Sequence, residues 1–104
     1  MANPWTGEVT VQIDGKPCVC KLTLGALAEL EGSLGEGSLV DLIRRFEGGA
    51  FSGRDVMAVI VAGLRGGGWI GTASDLIAAE IEGGPVGAAK AAATLLARAF
   101  APPS

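Results

Sequence analysis

The chain has 104 residues, a formal net charge of −3, 49% hydrophobic residues and no histidine. This composition predicts a single folded domain over residues 1–104, and the scattered Lys and Arg argue against nucleic-acid binding, which needs several cations on one face. Without histidine the chain lacks the commonest general acid–base group and transition-metal ligand, so we expect no enzyme activity, no catalytic, cofactor or metal site and no small-molecule substrate.

Residues 7–24 predict a β-hairpin. Val9, Val11 and Ile13 alternate with polar residues, and the Asp-Gly pair at 14–15 is typical of a two-residue type I′ turn. That turn sets a register in which Val11 faces Cys18 and Val9 faces Cys20, so that all four side chains lie on one face of the hairpin. Residues 1–6 and 102–104 are expected to be loose ends.

Residues 25–101 predict about four to five short helices. Three segments begin with Ser or Thr followed three residues later by Asp, the pattern that opens a helix: Ser38–Asp41, Ser52–Asp55 and Thr72–Asp75. Pro85 suits the first position of the last helix. The predicted fold is therefore α+β, with an N-terminal hairpin and a compact helical bundle.

The apolar stripes of these helices repeat at helical spacing, and glycines follow most of them. The stripes are Leu27, Leu30 and Leu34, ended by Gly35 and Gly37; Leu39, Leu42, Ile43 and Phe46, ended by Gly48; Val56, Val59, Ile60 and Leu64, ended by Gly66; Leu76, Ile77 and Ile81, ended by Gly83; and Ala92, Leu95, Leu96 and Phe100.

The stretch AGLRGGGW, residues 62–69, allows two interpretations. A glycine run beside a cation can cradle a phosphate, but a phosphate loop precedes a helix, whereas these glycines follow one and lack a Lys-Ser/Thr pair. We therefore favour helix termination. Because three glycines exceed what one helix end requires, we also expect a flexible joint here, at which Gly67→Ala would disturb partner binding more than folding.

Cys18 and Cys20 lie two residues apart on a predicted strand. Two thiolates would form half a zinc site, and no further Cys or His is present to complete it. The favoured interpretation is a pair of buried small apolar side chains.

The remaining candidate is apolar surface on the Ala-rich last helix. Its apolar residues either face the core of the domain or form an exposed groove for a protein partner. In the second case, the candidate partner-binding residues are Trp69, Leu95, Leu96 and Phe100.

The chain resembles the gene transfer agent family of short proteins, which are encoded in phage-derived tail gene clusters of bacteria. The likeness runs from Gly7 to Phe100 and is most distinctive in LTLGALAELE and GLRGGG; it also includes the strand–turn–strand GEVTVQIDGKPCVCKLTL and the late IEGG.

The resemblance implies a non-enzymatic role in building a phage-like tail. Members of the family are described as tail assembly chaperones, which bind the tape-measure protein before the tail tube polymerises, and also as tail-tube-related. The implied partners are therefore the tape-measure protein or other tail proteins, with a homo-oligomer as a further option. The alternative role is a structural tail or tail-tube-associated component of the particle.

The sequence also carries expectations about location. The first residues form no apolar signal segment, and the longest apolar run, residues 56–62, is much shorter than the ~20 residues that cross a bilayer. We expect no membrane association. We expect the chain to work in the bacterial cytoplasm during assembly or, if it is structural, in the assembled tail.

Overall fold

A computed structural model describes residues 7–33 and 38–100. Two antiparallel strands, β1 (Val9–Ile13) and β2 (Lys16–Cys20), precede five helices: α1 (Leu24–Ser33), α2 (Leu39–Gly48), α3 (Gly53–Gly66), α4 (Ala73–Ile77) and α5 (Gly84–Ala99). This order confirms the predicted α+β fold. The two predicted loose ends, and the predicted end of the first helix at residues 34–37, lie outside the described residues.

The hairpin has the predicted register. Val9 pairs with Cys20 and Val11 with Cys18, and both turn residues have positive φ, 51° at Asp14 and 78° at Gly15. These angles are those of a type I′ turn, whose twist matches that of the strands it joins. The buried Val9, Val11 and Cys20 side chains lie on the face of the hairpin that packs against the helices.

The predicted helix starts are confirmed. In α2 and α3 the cap hydroxyl accepts the backbone N–H of the Asp three residues later, at 3.2 and 3.1 Å, and that carboxylate accepts the N–H of the cap residue. In α4, Asp75 accepts the N–H of Thr72 at 2.9 Å, but its own N–H donates to the Thr72 carbonyl oxygen. The cap of α1 was missed: the Thr23 hydroxyl accepts the N–H of Ala26 at 3.1 Å.

The fourth predicted stripe, Leu76, Ile77 and Ile81, does not form one helix. α4 ends at Ile77, which is 71% exposed, while Ile81 forms an isolated antiparallel bridge with Ile13 of β1. The Asp14 N–H donates to the Glu80 carbonyl oxygen at 2.8 Å, and the Asp14 carboxylate accepts the Glu80 N–H at 2.9 Å. These bonds to the hairpin replace helical bonds, because a helix this short has little stability of its own.

The last helix begins slightly earlier than expected. α5 starts at Gly84, so Pro85 occupies its second position instead of the first, after Gly83 with φ of 85°. Proline is tolerated in this first turn because its missing N–H would have no helical partner there.

α3 lies at the centre of the packing. It contacts α1, α4, α5 and β2, while α5 also packs on β1. The largest fully buried side chains come from β2, α1, α2, α3 and α5: Cys20, Leu30, Leu42, Val59, Ile60, Leu64 and Leu95. The burial of apolar surface, which stabilises a fold by about 25 cal/mol per Å² buried, is the main favourable contribution that holds these elements together.

Candidate interaction surface

The two cysteines occupy the inner face of the hairpin. Cys20 is fully buried, and burial, aided by the neighbouring Cys18, raises the pKa of its thiol to about 12. Both cysteines are free, and Cys18 is half-buried. Within residues 7–33 and 38–100, no group of three or more His, Cys, Asp or Glu side chains is placed to hold a metal ion. Cys20 therefore acts as a small apolar side chain of the core.

The glycine run ends α3 with a Schellman motif. The Gly68 N–H donates to the Arg65 carbonyl oxygen at 3.1 Å, and the Trp69 N–H donates to the Leu64 carbonyl oxygen at 2.9 Å. Gly68 has φ of 104°, the positive angle that this motif needs in the residue after the cap and that favours glycine. These backbone N–H groups are used within the chain, so the run does not offer them to a phosphate.

The two preceding glycines allow α3 to approach β2 closely. A Cβ atom on Gly66 would lie 2.0 Å from the Lys21 carbonyl oxygen, and one on Gly67 would lie 2.0 Å from the Val19 carbonyl oxygen. The contact is completed by the Lys21 N–H, which donates to the Gly63 carbonyl oxygen at 2.8 Å. The expected flexible joint is therefore replaced by a packed junction, and each of the three glycines has a structural reason.

An ion pair fixes α2 on α3. Arg45 Nε and Nη2 donate to the two carboxylate oxygens of Asp55, each at 3.0 Å, and Asp55 also accepts the Ser52 N–H at 2.9 Å. The hydrogen bonds from Arg45 hold the pKa of Asp55 below its usual range, against the opposing effect of partial burial. Beside this pair, the rings of Phe46 and Phe51 stack with centroids 4.7 Å apart. This network positions α2 so that its Ile43 and Glu47 side faces α5.

The four predicted surface residues have different environments. Leu95 of α5 is fully buried in the core. Trp69 is half-buried against the core, beside Gly71. Leu96 is buried at the base of a groove between α2 and α5, and Phe100, which lines the same groove, is 45% exposed. The structure thus brings Leu96 and Phe100 together, and it places Leu95 and Trp69 elsewhere.

The groove between α2 and α5, called the α2–α5 groove below, has a volume of about 600 Å³. Its lining is apolar except for one carboxylate, and consists of Ile43, Phe46, Glu47, Ala93, Leu96, Ala97 and Phe100. A second groove of about 340 Å³ lies between α3, α4 and α5. Concave apolar surface of this kind is typical of sites that receive an apolar face of another protein.

Sequence reasoning did not single out the exposed apolar side chains Ile70 and Val86. Ile70 is 93% exposed in the loop that follows the glycine run, and Val86 is 67% exposed on the first turn of α5. Both lie outside the apolar stripes that face the core. An apolar residue off the main stripe of a helix is the signal that would have found Val86, whereas no helical pattern covers Ile70, which lies in a loop.

The comparison with protein families gives one match. Residues 6–102 match the model of the family described as "Phage tail tube protein, GTA-gp10". The chain belongs to this family. The match confirms the resemblance to gene transfer agent and phage tail proteins, and it places the chain among the components of phage-like tails. The family is one of structural tail proteins.

Two further observations accompany this match. No curated protein and no solved structure matches the chain. None of the helices in the described ranges combines the length and the apolar character that crossing a lipid bilayer requires.

Proposed function

We propose that the chain is a non-enzymatic, structural component of a phage-like tail, associated with the tail tube. The observation that carries this proposal is the family match, which extends over residues 6–102 and bears the description of a tail tube protein. The protein would work through contacts with other tail proteins or with further copies of itself. It would assemble in the bacterial cytoplasm and remain in the finished particle.

The surface of the protein supports a role in assembly. The α2–α5 groove, the smaller groove between α3, α4 and α5, and the exposed side chains Ile70, Val86 and Phe100 offer apolar area to partners. Single exposed apolar residues are ordinary on a protein surface, whereas grooves lined by apolar side chains are typical of sites that bind other proteins.

Deletion of the gene, with complementation, tests this role. Particles from the deletion strain should lack tails or carry defective tails in electron micrographs, and the wild-type gene should restore them. As a control, a Glu31→Lys variant should restore tails as the wild-type gene does, because it alters an exposed residue of α1 away from both grooves. Normal tails in the deletion strain would contradict the proposal.

The second candidate is a tail assembly chaperone that binds the tape-measure protein. It is favoured by the proportion of helix, since the described residues contain five helices and a single two-stranded sheet. An apolar groove between two helices suits an amphipathic helix of a long helical partner. Co-expression separates the candidates: a chaperone should keep the tape-measure protein soluble and co-purify with it, whereas a structural component need not.

A further inference from the structure

Helix α2 is attached to the domain differently from the elements around it. Within residues 7–33 and 38–100, every hydrogen bond of its backbone stays within residues 38–50. The hairpin, by contrast, shares backbone hydrogen bonds with α3 and with the segment before α5, such as the bond from the Lys21 N–H to the Gly63 carbonyl oxygen. α2 can therefore separate from α3 and α5 without breaking a backbone hydrogen bond to another element.

Side chains hold α2 in place. Leu42 is its fully buried residue, and the half-buried side chains packed against the core are Leu39, Ile43 and Phe46. Across the described part of the chain, its polar contact with another element is the pair between Arg45 and Asp55. The outer face of the helix is charged and exposed. An element that buries so little apolar surface lies at the low end of local stability in a domain.

The chain has the features of a hinge where α2 ends. Gly48 is the last residue of the helix, and Gly49 follows with φ of 75°. A Cβ atom on either glycine would meet nothing within 4 Å, whereas one on Gly66 or Gly67, at the end of α3, would lie 2.0 Å from a carbonyl oxygen of the hairpin segment. The glycines after α2 are therefore not packed against other residues. A few residues of this kind are enough to take up the change in backbone angles when an element moves.

α2 also separates two apolar grooves. Phe46 lines the α2–α5 groove, and Phe51, on which its ring stacks, lines the second groove between α3, α4 and α5. Both grooves border the same side of α5, since Pro85 and Ala89 lie in the second groove and Leu96 in the first, at intervals of helical spacing. Displacement of α2 removes the Phe46 ring and joins the grooves into one cleft along α5, whose 16 residues span about 24 Å.

We propose that α2 is a hinged arm, which swings away from α3 and α5 at Gly48 and Gly49 while the rest of the domain stays folded. In the closed state, the Arg45–Asp55 pair and the stacked phenylalanine rings hold the arm and keep the two grooves apart. In the open state, the apolar side of α5 forms one continuous face. This opening goes beyond the tail role proposed above and does not depend on it, because it is a property of the chain by itself.

Native-state hydrogen exchange of the full-length chain, measured for each amide by NMR, is the test. When the arm opens its amides lose protection, because a detached helix of ten residues is only marginally stable in water. The amides of residues 59–64 in α3 exchange only when the whole domain unfolds. Relative to their intrinsic rates, the amides of residues 43–46 in α2 should therefore exchange at least about 100-fold faster than those of α3.

Two variants separate the local opening from global unfolding. Gly67→Ala weakens the junction of α3 with β2, and Leu95→Ala leaves a cavity where α5 packs on Gly63 of α3. Both contacts stay intact when α2 opens alone. Each variant should raise the exchange rate of the α3 amides about 30-fold and leave that of the α2 amides unchanged. Gly32→Ala, which adds a Cβ atom to open space in α1, is the control and should speed neither set.

Replacement of Arg45 tests what keeps the arm closed. Because the Arg45–Asp55 pair is broken in the open state, Arg45→Gln should raise the exchange rate of the α2 amides about tenfold. Arg44→Gln is the matched control, since it changes the neighbouring, exposed arginine of the same helix. This control should leave the α2 exchange rate within about twofold of the wild-type rate.

The outcomes that contradict the proposal are distinct. Equal protection of the α2 and α3 amides, or a rise of both sets in Gly67→Ala and Leu95→Ala, would show that α2 opens only together with the whole domain and would overturn the proposal. An unchanged α2 exchange rate in Arg45→Gln would contradict the role given to the ion pair in holding the arm.

Discussion

Replacing Gly67 by alanine tests whether the glycine run is a packed junction. Gly67 has φ of −86°, an angle that alanine adopts without strain, so any cost comes from the space around it. A Cβ atom at this position would lie 2.0 Å from the Val19 carbonyl oxygen, whereas real Cβ atoms essentially never approach closer than 3.0 Å. The end of α3 and strand β2 must therefore separate by about 1 Å, the difference between these two distances.

The energy of that separation follows from the contacts at the junction. Overpacking of this kind costs about 1–3 kcal/mol. Weakening the hydrogen bond from the Lys21 N–H to the Gly63 carbonyl oxygen adds about 1 kcal/mol. The reduced entropy of the unfolded chain returns about 0.4–1 kcal/mol. We expect Gly67→Ala to lower the free energy of unfolding by about 2 kcal/mol, a large part of the 5–15 kcal/mol typical of a domain.

Urea unfolding followed by circular dichroism measures this change, with Gly32→Ala as the matched control. Gly32 lies in α1, and a Cβ atom there would meet nothing within 4 Å, so alanine should raise the free energy of unfolding by about 0.5–1 kcal/mol. If Gly67→Ala proves as stable as the wild-type chain while it weakens partner binding, the junction is a joint after all and the packing argument is wrong.

Further predictions concern the ion pair, the cysteines, the core and the domain. Asp55→Asn, which loses the charge-assisted hydrogen bonds from Arg45, should destabilise the chain by about 1.5–3 kcal/mol in urea unfolding. Because the pKa of Asp55 is lowered in the folded protein, the ionised carboxylate stabilises the fold above the usual aspartate pKa, and this stabilisation is lost as pH falls through the folded pKa. Arg45→Gln removes the partner that lowers this pKa, so the variant should begin to unfold at a higher pH than the wild-type chain in an acid titration. A thiol reagent should modify Cys18 in the native protein but reach Cys20 only on unfolding; equal labelling rates would contradict its burial. Leu95→Ala should cost about 2–5 kcal/mol by the same unfolding assay, since Leu95 is fully buried. Calorimetry should show one cooperative transition if residues 1–104 form a single domain, whereas two separate transitions would refute it.

Local chemistry made much of the fold predictable from the sequence. The Asp14–Gly15 turn fixes both the hairpin and its register, because a two-residue turn leaves one way to pair the strands. The Ser and Thr caps define helix starts through bonds between residues three apart, such as Ser52 with Asp55. Such interactions involve short stretches of chain, and their patterns are visible in the sequence.

Contacts between distant segments could not be predicted in this way. Ile81 continues an apolar helical pattern, yet it pairs with Ile13 because β1 offers unpaired backbone groups at its edge. The close approach of Gly67 to β2 depends on how α3 packs, which no local pattern contains. For the candidate surface, the predicted stripe of α5 included both Leu95 and Phe100. Only the placement of α3 against Leu95 and of α2 beside Phe100 shows that the first is buried and the second borders a groove.

The central claim is that this chain is a structural component of a phage-like tail, and quantitative mass spectrometry of purified particles tests it most directly. With labelled peptides from the chain and from the major tail proteins as standards, the account predicts that the chain is present in a fixed ratio to the tail proteins in every preparation. Its absence from particles, while it is abundant in the lysate in which they assemble, would contradict the claim and favour the assembly chaperone instead.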